Sequence, residues 1–161
     1  MAKQIFITGS CRTPIGKAGA TRGNLSSLSS TQLLVPCFEE TLVRSGISKN
    51  HLDQVIVGNC AQSSEAPNIS DVTGRLTNSQ KDVARAVANE VGIHVPAFSV
   101  HRNCGSGLQA VVSACQMIKA EEANIVLAGG TESMSNIPYI LKDVRFGCGL
   151  QHKQLTDALW E

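Results

Sequence analysis

Val100–Ala110 reads VHRNCGSGLQA, and the fold turns on how this stretch is read. A short apolar run, AFSV (Ala97 to Val100), leads into it. Cys104 follows, then a Gly-Ser-Gly step, then an apolar helical pattern that begins at Gly105. Strand, turn and helix in that order place a cysteine at a helix start. Two readings fit the local residues: a nucleophile held where the helix begins, or a tight turn whose cysteine is inert packing.

Three further runs resemble AFSV. They are QIFIT (Gln4 to Thr8), QVIVG (Gln54 to Gly58) and NIVLAGG (Asn124 to Gly130). Each is nearly continuously apolar, the pattern of a strand covered on both faces. Helical patterns lie between them. The first runs from Ser30 to Ser45, with Leu33, Leu34, Cys37, Phe38 and Thr41 at helical spacing and Gly46 as a stop. Pro36 inside it predicts a late start or a kink. The second runs from Ser79 to Val91, with Val83, Ala84, Val87 and Val91 on one face. The third carries a stripe of Leu108, Val111, Val112, Cys115 and Ile118, with only Gln109, Ser113 and Gln116 polar, and so reads as a buried helix.

Strands alternating with helices predict an α/β fold with a mostly parallel sheet and covering helices. Ligands of such sheets bind beyond the carboxyl ends of the strands, where Cys104 falls. Ala61 to Asp82 is polar and reads as a long connection with a short helix near Ile69 to Leu76. After Gly130 no clean strand pattern is left. No repeat or low-complexity tract is present.

Composition excludes several function classes. The 161 residues carry a formal charge of +1, which gives no basic field for nucleic acid. Aromatic residues make up 4%, too few for base-stacking platforms. No segment approaches the roughly 18 apolar residues of a membrane span, and the opening apolar run is too short for a signal peptide. Six cysteines (Cys11, Cys37, Cys60, Cys104, Cys115, Cys148) show no paired or zinc-ligand spacing. No metal is expected, and free thiols in a reducing cytoplasm fit better than a disulfide framework.

A thiol attacks as its thiolate. A helix start favours negative charge through unpaired N–H groups and the macrodipole. Gly105 and Gly107 flank Ser106 and let a substrate approach the backbone. Exposed N–H groups at such a turn stabilise a developing oxyanion. The arrangement suits a thioester on Cys104. Cys115 and Cys37 fall on apolar helix faces and read as core. Cys60 ends a strand, Cys11 and Cys148 lie in loops, and nothing marks any of these three as activated. His101 is the nearest candidate base, while His51, His94 and His152 read as loop residues. GKAGATRG (Gly16 to Gly23) lacks the spacing of a phosphate loop.

Three segments together resemble the thiolase family: CRTPIGK after the first strand, VHRNCGSGLQAV at the cysteine, and LAGGTESMSNIPY after the last strand, with Thr131 where that family has Met. The resemblance runs from about residue 3 onward. It implies the N-terminal part of an acetyl-CoA acetyltransferase or 3-ketoacyl-CoA thiolase. Cys104 is then the residue that takes the acyl group from an acyl-CoA, coenzyme A is substrate or product, and no cofactor is tightly bound. Ser106 and Gly107 match positions that shape the acyl pocket, and Met134 matches one near it.

Thiolases are more than twice this long, and the connection from Ala61 to Asp82 looks longer than theirs. Their second half supplies the base histidine, a second cysteine, an asparagine-held water, the last strand of this domain and most of a loop domain. The resemblance thus divides the chain into an N-terminal domain at 1–132, lacking its last strand, and the opening of a loop domain at 133–161. It predicts a chain inactive without the missing half, which a second polypeptide or C-terminal fragment supplies, and a homo-oligomer once completed. A four-stranded sheet would keep an unpaired edge. The alternatives are a fragment of a ketosynthase-like condensing enzyme, which the GGTESMS segment disfavours, and a non-catalytic remnant or interaction module.

Overall fold

The computed structural model describes residues 4–18, 21–61 and 82–160. Three strands form one parallel sheet: β1 (Gln54–Gly58), β2 (Ala97–Val100) and β3 (Val126–Gly130), in the order β2-β1-β3. Val55 pairs with Ala97 on one side and with Leu127 on the other. β1 is central and buried at all five residues.

Three helices cover the sheet: α1 (Ser30–Ser45), α2 (Val83–Val91) and α3 (Ser106–Lys119). The chain leaves β1 for β2 in one direction and returns across β1 to β3 in the other. Right-handed crossovers therefore put α2 and α3 on opposite faces. The core divides accordingly. Val55 and Val57 pack with Leu34, Phe38, Val83 and Val87 of α1 and α2. Ile56, between them in sequence, points the other way and packs with Ala110 and Ala114 of α3. Each fully buried branched side chain of β1 contributes about 1.5–3 kcal/mol, so the QVIVG run is the hydrophobic anchor of both faces.

Most predicted elements are in place. β1 and β2 match the expected spans, and β3 begins two residues late because the Asp53 carboxylate takes the N–H groups of Asn124 and Ile125 at 2.7 and 3.0 Å. Ser29 caps α1 through a capping box with Gln32, and Gly46 ends it at φ 66°. The helix starts at Ser30 despite Pro36, so the late start expected from that proline does not occur. Asp82 caps α2 through Arg85 N–H. The expected earlier start of α2 at Ser79 and the short helix near Ile69 to Leu76 lie outside the described residues.

Three expectations are corrected. Gln4 to Thr8 is no strand: it joins no ladder, and Phe6 and Ile7 are 75% and 82% exposed. Its apolar residues match a buried strand, but strand formation needs a neighbour to take the backbone groups. Instead this segment faces α1, α3 and β3 across a cleft of about 640 Å³. Second, α3 is not buried along its large-residue stripe. Ser106, Ala110 and Ala114 are its buried residues, while Leu108 is 72% exposed. Small residues face the sheet because α3 lies close against it, so Val111, Cys115 and Ile118 turn to the cleft. Third, the region after Gly130 does contain strands. β4 (Tyr139–Leu141) pairs antiparallel with β5 (Leu155–Asp157). Three-residue strands are too short for a period-two pattern to register.

No described helix is long and apolar enough to cross a membrane, and no cluster of three metal-ligating side chains occurs among the described residues.

Candidate active site

The ends of β1, β2 and β3 converge on the N-terminus of α3. Two glycines make this possible. A Cβ on Gly58 would lie 2.2 Å from the Ser106 carbonyl carbon and 2.4 Å from Gly107 N. One on Gly130 would lie 2.8 Å from the Gly107 Cα. Only residues without side chains allow α3 to seat its first turn directly on the two strands.

Cys104 is exposed in the turn that opens α3. The turn is closed by the Gly105 N–H on Arg102 C=O at 3.1 Å and the Ser106 N–H on Asn103 C=O at 3.0 Å. Asn103 sits at φ 48°, in the left-handed region that asparagine tolerates better than most side chains. Gly105 is the N-cap and offers no side-chain oxygen, so α3 has no side-chain cap. The positive end of the helix is thereby left toward Cys104.

The other predicted site residues are placed differently. Ser106 is 4% exposed and braces the turn: its Oγ donates to Asn103 C=O at 2.6 Å and accepts the Arg102 N–H at 2.8 Å. Gly107 lies against Gly130. Met134 starts a short 3-10 turn and is 47% exposed. It lines the apolar cleft, whose walls do not include Cys104, Ser106 or Gly107. The apolar cleft and the candidate nucleophile are therefore separate features. His101 is exposed, and its Nδ1 accepts the Asn103 N–H at 3.4 Å. His51, His94 and His152 are exposed.

Among the remaining cysteines, Cys37 is core as expected, and burial, then the neighbouring Cys11 thiol, pushes its thiol up from the usual range. Cys115 is only partly buried, at the cleft, rather than in the core. Cys60 is not idle: its Sγ donates to Asn103 C=O at 2.8 Å and lies 3.4 Å from Ser106 Oγ.

Sequence reading missed a carboxylate at the centre of this edge. Glu132, two residues beyond β3, accepts the Cys60 N–H at 2.8 Å, the Ala61 N–H at 3.2 Å and the Asn59 Nδ2–H at 3.2 Å. Asn59 also donates to Thr131 C=O at 2.7 Å, while its buried Oδ1 has no hydrogen-bond partner among the described residues. An unpaired buried acceptor costs about 1–3 kcal/mol. The Thr131 hydroxyl donates to Ser30 C=O at 2.8 Å. No motif marks the roles of these residues; each lies within two residues of the carboxyl end of a parallel strand.

Fold and site together define an α/β domain that presents a cysteine turn at the carboxyl edge of a parallel sheet. Comparison with known proteins makes this specific. The family model described as "Thiolase, N-terminal domain" matches residues 5–161, and the chain belongs to that family. It is 38% identical over 163 residues to the mitochondrial 3-ketoacyl-CoA thiolase of Homo sapiens, covering 99% of this chain and 37% of that protein. It is 38% identical over 149 residues to an acetyl-CoA acetyltransferase of Syntrophomonas wolfei, covering 91% and 33%. The structure of the human enzyme in complex with CoA superposes at a TM-score of 0.79 with 38% identity, over 96% of this chain and 36% of that one. The acetyl-CoA acetyltransferase structure from Bacillus anthracis superposes at 0.78 with 34% identity, over 96% and 35%. The chain thus spans about a third of the length of these relatives, which are an acetyl-CoA acetyltransferase and a 3-ketoacyl-CoA thiolase by name.

Proposed function

We propose that this chain carries the nucleophilic half of a thiolase active site, with Cys104 as the residue that becomes acylated. The Cys104 thiolate attacks the carbonyl carbon of an acyl-CoA thioester. The carbon–sulfur bond to CoA breaks, and the CoA thiolate leaves and is protonated. In the biosynthetic direction the carbanion of a second acyl-CoA then takes the acyl group and frees the Cys104 thiolate. In the degradative direction the Cys104 thiolate instead attacks the 3-keto carbon of a 3-ketoacyl-CoA, the bond between carbons 2 and 3 breaks, the acetyl-CoA carbanion leaves and is protonated, and a CoA thiolate resolves the acyl-cysteine. CoA is substrate or product and not a resident cofactor. The observation that carries this reading is the exposed Cys104 in a braced turn at the uncapped N-terminus of α3, where a helix stabilises developing negative charge.

Proton transfer belongs to residues outside this third of the family's length. By resemblance these are a base histidine and a second cysteine, carried on the same polypeptide or on a second one. Two features support such a completion. The outer edge of β3 is unpaired among the described residues, and beside it runs the apolar cleft that leaves Phe6 and Ile7 exposed. On this reading residues 1–132 are the N-terminal domain without its last strand, and 133–161 open a loop domain in which the β4–β5 hairpin is the first element. Ser106 and Gly107 serve the acyl site by building the turn, and Met134 contacts substrate only once the remaining part is in place. The completed protein is a homo-oligomer. A reducing, cytoplasmic setting fits the six free thiols.

The experiment is incubation of the chain with acetyl-CoA, followed by intact-mass analysis and peptide mapping. One acetyl group on the Cys104 peptide is expected, none on Cys104→Ser, and no sustained thiolysis by the chain alone. Acetylation retained in Cys104→Ser overturns the nucleophile. Full turnover by a monomer of this chain overturns the need for completion.

A further inference from the structure

We propose that Cys60 is a positioning residue for Cys104, and that Glu132 holds Cys60 in place for that task. The proposal rests on reading Cys104 as the acyl acceptor. Asn103, directly before it, holds a left-handed conformation at φ 48°, which asparagine tolerates and the hydrogen bonds to its carbonyl hold. Three donors converge on its carbonyl oxygen: Ser106 N–H at 3.0 Å, Ser106 Oγ–H at 2.6 Å and Cys60 Sγ–H at 2.8 Å. The first two come from the first residue of α3 and move with the turn. Cys60 alone of the three comes from the end of another strand. A peptide unit is planar and trans, so fixing the Asn103 C=O directs the Cys104 N–H to the opposite side and sets the start of the Cys104 side chain.

Cys60 is anchored in turn. Its N–H donates to Glu132 Oε2 at 2.8 Å, while Oε1 takes the neighbouring Ala61 N–H and the Asn59 amide. Hydrogen bonds to a carboxylate are the strong ones. The path runs from Glu132 beyond β3, through Cys60 beyond β1, to Asn103 beyond β2. It ties all three strand ends to the turn that carries Cys104. A serine at position 60 keeps a donor there, and an alanine does not.

The test compares the full chain with Cys60→Ala, Cys60→Ser and Glu132→Gln. The readout is the rate of iodoacetamide alkylation at Cys104 across pH, by peptide mapping, with exposed Cys148 in the same chain as reference. Losing one neutral hydrogen bond corresponds to about a 2- to 13-fold effect. Cys60→Ala is expected to lower the Cys104-to-Cys148 rate ratio by that factor and to displace its pH profile. Cys60→Ser restores the ratio, and Glu132→Gln lowers it. Should Cys60→Ala fail to fold, Cys60→Val, closer to the thiol in volume, makes the same comparison. An unchanged ratio in a folded Cys60→Ala or Cys60→Val chain overturns the proposal, as does a serine variant that behaves like alanine. If wild-type Cys104 takes no acetyl group from acetyl-CoA, the acyl-acceptor reading fails, while the alkylation ratio still decides the role of Cys60.

Discussion

Gly58→Ala tests whether the cysteine turn depends on close backbone packing. The added Cβ would meet the Ser106 carbonyl carbon at 2.2 Å, the Ser106 carbonyl oxygen at 2.3 Å and Gly107 N at 2.4 Å. All three are backbone atoms, so no side-chain rotation relieves the contact. Reaching an ordinary contact of 3.4 Å from the nearest atom requires α3 and β1 to separate by about 1.2 Å. Overpacking of a core typically costs about 1–3 kcal/mol, and rigid backbone on one side and a fully buried strand on the other put this case near 3. For a domain of this size that lowers Tm by about 6–12 °C. A displacement of about 1 Å at a reacting group costs on the order of a hundredfold in rate, so acetylation of Cys104 should fall much further than stability does. Gly105→Ala is the control for thermal unfolding alone, since its Cβ would lie 3.3 Å from one carbonyl oxygen only. The measurements are thermal unfolding and the rate of acetyl transfer to Cys104. A Gly58→Ala chain with unchanged Tm and wild-type acetylation would refute the close-packing argument.

Two pH predictions follow from titrating groups. The N–H groups of Asn124 and Ile125 hold the Asp53 carboxyl below its ordinary 3.8. Its folded-state pKa is depressed, so its stabilisation is present above about 3.8 and lost as pH falls through the lower folded value. Relative to Asp53→Asn, the wild-type chain should lose stability in that acid window and not above it, as read by urea unfolding at stepped pH. Burial, then Cys11, raises the Cys37 thiol above 9.0. A raised pKa gives stability that is complete below 9.0 and is lost as pH rises through the folded value. Cys37 should therefore alkylate far more slowly than exposed Cys148 near neutral pH, and Cys37→Ala should narrow the alkaline loss of stability.

What was legible in the sequence was whatever a continuous apolar run or a cap specifies locally. QVIVG and AFSV form strands with the expected ends, and Ser29 and Gly46 bound α1 as their chemistry requires. Gln4 to Thr8 has the same composition but no ladder, because composition identifies a strand's interior and not its neighbours. On α3 the side chains that decide burial are the small ones, Ala110 and Ala114. A stripe drawn from large residues pointed to the wrong face because the helix comes close enough for glycines to touch it. Cys104 could be found as a motif. Glu132 and Cys60 could not, because their roles exist only after three strand ends meet.

The exposed apolar residues carry the last step. Phe6 and Ile7 lie on the Gln4–Thr8 segment, and the cleft beside them is walled by β3, α1 and α3. Burying two such side chains gains about 1.5–3 kcal/mol each. The N–H and C=O groups along the outer edge of β3, unpaired among the described residues, offer a ladder to any strand that enters. Completion at this edge would therefore stabilise the same β3 whose following residue pair, Thr131 and Glu132, holds Ser30, Asn59 and Cys60. The cleft does not reach Cys104, but Gly130, Thr131 and Glu132 line it, and Gly130 packs on Gly107 in the first turn of α3. Covering the cleft is therefore expected to tighten the turn through β3 and Glu132.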